Sequence, residues 1–186
     1  MVKIISWNVN GFNSPSMNVM TTETKKKRKN KEDIEKYILY PEFNNESNLY
    51  KLITEYNPDI ICLSETRCQN FEQINNLLKN EFEYNYNAWN IAERKGYSGV
   101  AVFSKIKFYD LGIIPGLEED NQGRYNLLDF QDFILINAYV PNTGSFSKIS
   151  DNLTDKETYR KDVWDINIKE YLEKLKNKEI KKINDL

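Results

Sequence analysis

Histidine is absent from all 186 residues, so no site in this chain can be built on an imidazole. Cysteine is nearly absent. Cys62 and Cys68 are too few for a zinc site and too close in a strand and its following loop for a disulfide framework, which fits a reducing, intracellular setting. No apolar run approaches the ~18 residues of a membrane span. A basic excess is missing as well: the formal net charge is −2, so affinity for a polyanion would have to come from a local cluster. The first residues, Met1-Val2-Lys3-Ile4-Ile5, enter a strand-like pattern at once, and the expectation is an unprocessed protein with no membrane association.

What is present is a mixed α/β pattern. Val2 to Val9 is rich in β-branched and aromatic residues and ends at Asn10-Gly11, a buried strand followed by a turn. From about 14 to 47 the chain turns polar, with Lys25-Lys26-Lys27-Arg28-Lys29-Asn30-Lys31 at its centre. That composition cannot bury enough surface to fold alone, and it reads as a disordered insertion. Its basic run is a solvated surface, a nuclear-import signal or a hold on DNA. Ser47 or Asn48 then caps a short helix to Tyr56, with Leu49, Leu52, Ile53 and Tyr56 on one face, before Pro58 stops it. Asp59 to Glu65 holds the apolar run of a central strand, parallel to the first.

Phe71 to Phe82 has helical spacing, and strands are expected at Tyr84 to Ala92, Gly99 to Ser104 and Phe108 to Ile114. Gly123 to Asp129 and Phe133 to Val140 form a hairpin that ends at Pro141-Asn142-Thr143-Gly144. A long helix begins at Thr154, with Glu157 completing a capping box and Tyr159, Val163, Ile166, Leu172 and Leu175 as its apolar stripe.

Three of these strands end in polar residues: Asn8 and Asn10, Glu65, and Tyr139 with Asn142. Strand ends are where α/β sheets place their sites. A carboxylate with amide oxygens suits a hard cation such as Mg²⁺, which takes few protein ligands and keeps several waters, and phosphoryl chemistry follows from that. Each residue also has an ordinary reading. A buried Asn at a strand end satisfies backbone groups, a Tyr in an apolar strand is core, and Glu65 could simply pair with Arg67. An acid straight after Ile61-Cys62-Leu63-Ser64 is costly unless paired or ligated, which favours a functional role for Glu65.

The segments Ser6-Trp7-Asn8-Val9-Asn10-Gly11, Pro58-Asp59-Ile60-Ile61-Cys62-Leu63-Ser64-Glu65-Thr66, Gly96-Tyr97-Ser98-Gly99-Val100 and Ala138-Tyr139-Val140-Pro141-Asn142 closely resemble, in content and order, the exonuclease III type of apurinic/apyrimidinic endonucleases. Gly123-Arg124 and Tyr159-Arg160 with Trp164-Asp165 extend the resemblance over nearly everything outside the insertion. It implies metal-dependent hydrolysis of the phosphodiester 5′ to an abasic site in double-stranded DNA, with 3′-end trimming as a companion activity. It also implies Mg²⁺, or Mn²⁺ in its place, and a nuclear, mitochondrial or other DNA-containing compartment. Carried over by position, Glu65 is the metal carboxylate, with Asn8 and Asn10 holding the metal network. Tyr139 is the active-site tyrosine, Asn142 contacts the scissile phosphate or flanking backbone, and Gly96, Tyr97 and Arg124 serve DNA contact.

The same resemblance implies a four-layer α/β/β/α sandwich, of which this chain would be the first half: one mixed sheet with covering helices and a bare apolar inner face. The family's later Gly-Asp-x-Asn strand end, further Asp and Ser-Asp-His have no counterpart here. The expectation is a partial domain, 1–186, inactive in isolation for want of a general base and completed by a C-terminal half. A related phosphoesterase of the same superfamily, or a fragment that only binds DNA or protein, are the competing readings.

Overall fold

The computed structural model describes residues 1–12, 17, 19–21, 42–69, 71–142 and 159–177. Strand β1 (Ile4–Asn8) runs parallel to β4 (Ile60–Ser64), with Asn8 opposite Ser64. Strands β5 (Tyr86–Asn90) and β6 (Val100–Ser104) complete an antiparallel extension in the order β1-β4-β6-β5. Two helices lie on this sheet. α1 (Asn48–Tyr56) starts where Ser47 accepts the Tyr50 N–H at its N-cap, and α2 (Glu72–Phe82) follows β4. The period-2 alternation of β4 divides its side chains. Ile61 and Leu63 pack with Leu49, Ile53, Ile74 and Leu78 beneath the helices, while Ile60 and Cys62 face the other way.

That other face is covered. β7 (Tyr109–Asp110), β8 (Tyr125–Asp129) and β9 (Ile134–Ala138) form a second, three-stranded antiparallel sheet. Leu128, Phe130 and Leu135 of this sheet share one cluster with Ile60, Cys62, Ala88 and Val102 of the first. The outer face of the second sheet, through Tyr125, Leu127 and Ile136, packs on Trp164 and Tyr171 of the terminal helical segment. That segment is a π-helical turn, Tyr159–Trp164, leading into α3 (Asp165–Lys176). Helices, sheet, sheet and helix are therefore stacked as four layers, which corrects the expectation of a single sheet. The hairpin Tyr125–Ala138 does not extend the first sheet but folds over it. The inner face is left open mainly at β1, where Ile4 is 42% exposed and Ser6 and Asn8 are exposed.

Two further expectations change. The polar stretch read over 14–47 has packed ends: Met17, Val19 and Phe43 are buried, and β2 (Met20–Thr21) pairs antiparallel with β3 (Glu42–Phe43). Three apolar residues scattered in a polar composition hid this. In the terminal helix, Ile166 and Leu172 are nearly half exposed, and Trp164, Ile168 and Tyr171 face the sheet instead. A wider π turn rotates every later residue relative to a 3.6-residue pattern. The basic run 25–31, the capping box of Thr154 and Glu157, and Thr143-Gly144 lie outside the described residues.

Candidate active site

Three strand ends converge across the two sheets. Glu65 follows β4, Asn8 ends the neighbouring β1, and Tyr139 follows β9 of the facing sheet. The Asn8 amide donates to Glu65 Oε1 at 3.0 Å, and the Tyr139 hydroxyl donates to the same oxygen at 2.7 Å. The Arg67 guanidinium donates to Glu65 Oε2 at 2.6 Å. The ion pair with Arg67 and the functional reading of Glu65 are thus not alternatives. Burial of the Glu65 side chain, 16% exposed, pushes its carboxyl upward, but the three donors, with the Arg67 charge, outweigh this and hold it below its ordinary 4.5. The Tyr139 phenol moves the opposite way, pushed up to about 12 by burial and by the Glu65 carboxylate that it serves. At neutral pH the pair is a carboxylate and a neutral phenol donor.

The local backbone explains the sequence motifs. Glu65, Arg67, Asn10 and Ser98 all have φ between 44° and 53°, a left-handed conformation costing on the order of 1–3 kcal/mol at a non-glycine residue unless its surroundings enforce it. Here they do. Gly11 N–H donates to the Glu65 carbonyl at 2.7 Å and Phe12 N–H to Thr66 at 3.0 Å. Thr66 N–H donates to Gly99 at 3.0 Å and Arg67 N–H to Ser98 at 2.8 Å. The turns after β1 and β4 and before β6 are stitched into one rigid platform. Gly99, at φ +87°, sits where a Cβ would come 2.5 Å from the Thr66 hydroxyl oxygen.

The position of Tyr139 depends on a residue that pattern reading absorbed into a strand. Asn137, 6% exposed, sends its amide across the gap between the sheets to the carbonyls of Leu63 and Ala101, each at 3.2 Å, and also to Asn126 Oδ1 at 3.3 Å. This amide ties the strand bearing Tyr139 to the strand bearing Glu65. An Asn inside an otherwise apolar run was the available signal.

The remaining candidates are distributed around this centre. Asn10 takes part through its backbone, its N–H donating to Asn8 Oδ1 at 3.1 Å. Asn142 is exposed three residues beyond Tyr139. Gly96, at φ +71° with open space where a Cβ would stand, precedes Tyr97, which is 37% exposed with the Arg94 guanidinium 5.4 Å over its ring. Tyr97 lines a cleft of about 280 Å³ with Arg94, Asn121 and Gln122. Arg124 is different: only 5% exposed, it lies beneath this surface.

Among the described residues no group of three or more His, Cys, Asp or Glu side chains could hold a metal. The donor set at the strand ends is one carboxylate with amide oxygens. Such a set fits a hard cation that keeps most of its waters and does not fit a soft or tetrahedral metal.

Residues 5–178 match the endonuclease/exonuclease/phosphatase family. The chain is 29% identical over 182 residues to a DNA-(apurinic or apyrimidinic site) endonuclease of Dictyostelium discoideum, covering 94% of this chain and 38% of that protein. It is 35% identical over 145 residues to an exodeoxyribonuclease of Bacillus subtilis (strain 168), covering 76% and 44%. The fold is similar to that of the 3′ phosphatase NExo from Neisseria bound to a product DNA hairpin, with a TM-score of 0.59, 21% identity, and coverage of 92% of this chain and 51% of that one. The chain thus spans about two fifths of the curated relatives and half of the solved structure. With the match running almost end to end and the motif residues gathered on one platform, the chain belongs to the endonuclease/exonuclease/phosphatase family.

Proposed function

We propose that this chain supplies part of a DNA-repair nuclease that hydrolyses the phosphodiester 5′ to an abasic site in double-stranded DNA, with 3′-end trimming as a related activity. The observation that carries the reading is the meeting of Asn8, Glu65 and Tyr139 from three strand ends. Glu65 would hold Mg²⁺, or Mn²⁺ in its place, with Asn8 and Asn10 completing the protein's share. When bound, such a cation supplies charge stabilisation at a phosphoryl oxygen.

The chain's own residues supply binding and orientation. Tyr139, neutral at working pH, offers a hydroxyl donor to the carboxylate that would hold the metal, and the exposed Gly96, Tyr97 and Asn142 would meet the DNA backbone. Attack by water also needs a proton acceptor. Glu65, held ionised by three donors, is a weak base, and Tyr139 keeps its proton to about 12. In this reading these residues bind and polarise, and the proton of the attacking water goes to another group.

Supporting this substrate class, relatives are named for abasic-site and exodeoxyribonuclease activity, and the Neisseria structure holds DNA. A compartment containing DNA, the nucleus foremost, is part of the same proposal. The test is fluorescence anisotropy of the 186-residue protein on a duplex with a tetrahydrofuran abasic site and on the intact duplex, with Mg²⁺. Tighter binding to the first, weakened by Glu65→Gln, is expected. Equal affinity for the two duplexes, untouched by that substitution, would sink the assignment.

A further inference from the structure

Arg124 lies immediately before β8, and both terminal nitrogens of its guanidinium meet neighbours, while its buried Nε has no hydrogen-bond partner among the described residues. Its Nη1 donates to the Tyr139 carbonyl at 3.2 Å, and its Nη2 donates to the Tyr97 hydroxyl at 3.3 Å and to Gln122 Oε1. The guanidinium carbon lies 5.4 Å from the centre of the Tyr139 ring. The backbone closes the arrangement: the Arg124 carbonyl accepts the Tyr139 N–H at 2.7 Å. An arginine that serves as a phosphate contact keeps its head in water while its stem lies along the protein. This one is 5% exposed, with the planar fork distributed over two tyrosines and a glutamine.

Burying a cation costs several kcal/mol unless hydrogen bonds offset it, so a buried arginine is informative about what its neighbours require. Here the neighbours are the exposed Tyr97, on the loop before β6, and Tyr139, whose hydroxyl meets Glu65. These two belong to different sheets' connections, and among the described residues Arg124 is bonded to both. A point charge such as lysine cannot reproduce that planar, divergent set of donors.

We propose that Arg124 is a positioning residue that fixes Tyr97 and Tyr139 relative to one another and does not itself touch nucleic acid. This inference rests on the DNA reading above. It is nonetheless separable from it, because a buried strut and a phosphate contact leave different marks on the salt dependence of binding. Each phosphate neutralised contributes about −0.9 to the slope of log K against log salt on duplex DNA. A strut contributes nothing to the slope and acts only on the fit.

The experiment measures binding of the 186-residue protein to the tetrahydrofuran duplex over a salt series for wild type, Arg124→Lys, the charge-removing Arg124→Gln, Tyr97→Phe and the Arg124→Lys/Tyr97→Phe double variant, with melting temperatures to check that each folds. Arg124→Lys is expected to weaken binding about tenfold, the loss of one charge-assisted hydrogen bond, ~1.4 kcal/mol, and Arg124→Gln, which removes the charge, is expected to weaken it with the slope unchanged. The double variant is expected to be no weaker than Arg124→Lys alone, a non-additivity that a purely structural role would not produce. Gln122→Ala, at a half-buried neighbour, provides the same reading should Arg124→Lys fail to fold: weaker binding at constant slope. A slope reduced by about 0.9 in Arg124→Gln, unchanged affinity in Arg124→Lys, or fully additive losses would overturn the proposal. Wild-type protein that binds no duplex at all would remove the DNA reading and this inference together, whereas an altered slope with abasic preference intact removes this inference alone.

Discussion

Replacing Tyr139 with Phe removes one hydroxyl and leaves the ring in place, so its effect isolates the 2.7 Å hydrogen bond to Glu65. A hydrogen bond to a charged group contributes about 1.5–3 kcal/mol. Because Glu65 keeps Asn8 on the same oxygen and Arg67 on the other, the lower end, about 1.5 kcal/mol, is expected at pH 7. The loss depends on pH. Glu65 lies below its ordinary 4.5 in the folded protein because Asn8, Tyr139 and Arg67 together overcome the burial that would raise it. Its contribution is therefore complete above about 4.5 and is lost as pH falls through the lower folded value. Removing Tyr139's donor moves the folded value back up, so the stability gap between wild type and Tyr139→Phe should be widest at neutral pH and should close as Glu65 is protonated. Urea denaturation of both proteins from pH 7 to pH 3 measures it. A gap of the same size at both ends would show that the ionised carboxylate is not the partner, and no gap at pH 7 would show that the bond contributes nothing.

Other expectations follow from the same geometry. Tyr139 should show no phenolate absorbance between pH 8 and 11, since its phenol is pushed up to about 12; difference spectra against Tyr139→Phe would reveal a normal titration if the site were open. Asn137→Ala removes the amide's hydrogen bonds to the Leu63 and Ala101 carbonyls and to Asn126 Oδ1 and should cost about 1–3 kcal/mol, with chemical unfolding as the measure and an unperturbed Tyr139 environment as the contrary result. Leu128→Ala, fully buried between the sheets, should cost about 2–5 kcal/mol, and a loss under 1 kcal/mol would mean that the sheets are not packed as described. Gly123→Ala puts a Cβ 2.5 Å from the Ile91 carbonyl carbon at a φ of +61°, so it should destabilise by several kcal/mol and lower the melting temperature sharply; a neutral outcome would contradict the close approach of these two backbone segments.

The sequence made some of this legible because the signals were local. Polar residues at the ends of apolar runs, Asn8, Glu65 and Tyr139, named the centre of the site, and a serine before an apolar-periodic stretch located the N-terminus of α1. What escaped was set by distance in the chain. That β8 and β9 stack on the first sheet, and do not extend it, depends on which faces meet, and the alternation within each strand is the same in either case. Asn137 stood out only as an amide in an apolar run, and which groups on the other sheet it would reach is not written in its neighbours. Arg124 carries the same charge buried or exposed. Ile166 and Leu172 were assigned to the packed face by a 3.6-residue rule that a single π turn defeats.

Because Glu65 and Tyr139 are contributed by opposite sheets, their meeting is a property of the docking and of neither sheet alone. A polypeptide that has formed its first sheet but has not yet closed the sandwich can set Asn8 and Arg67 on Glu65, but not Tyr139. A slip of one residue between the layers, about 3.3 Å, would part the hydroxyl from the carboxylate just as completely. The Glu65–Tyr139 hydrogen bond thus reports on assembly: until the two layers have seated against each other, the carboxylate lacks its third donor.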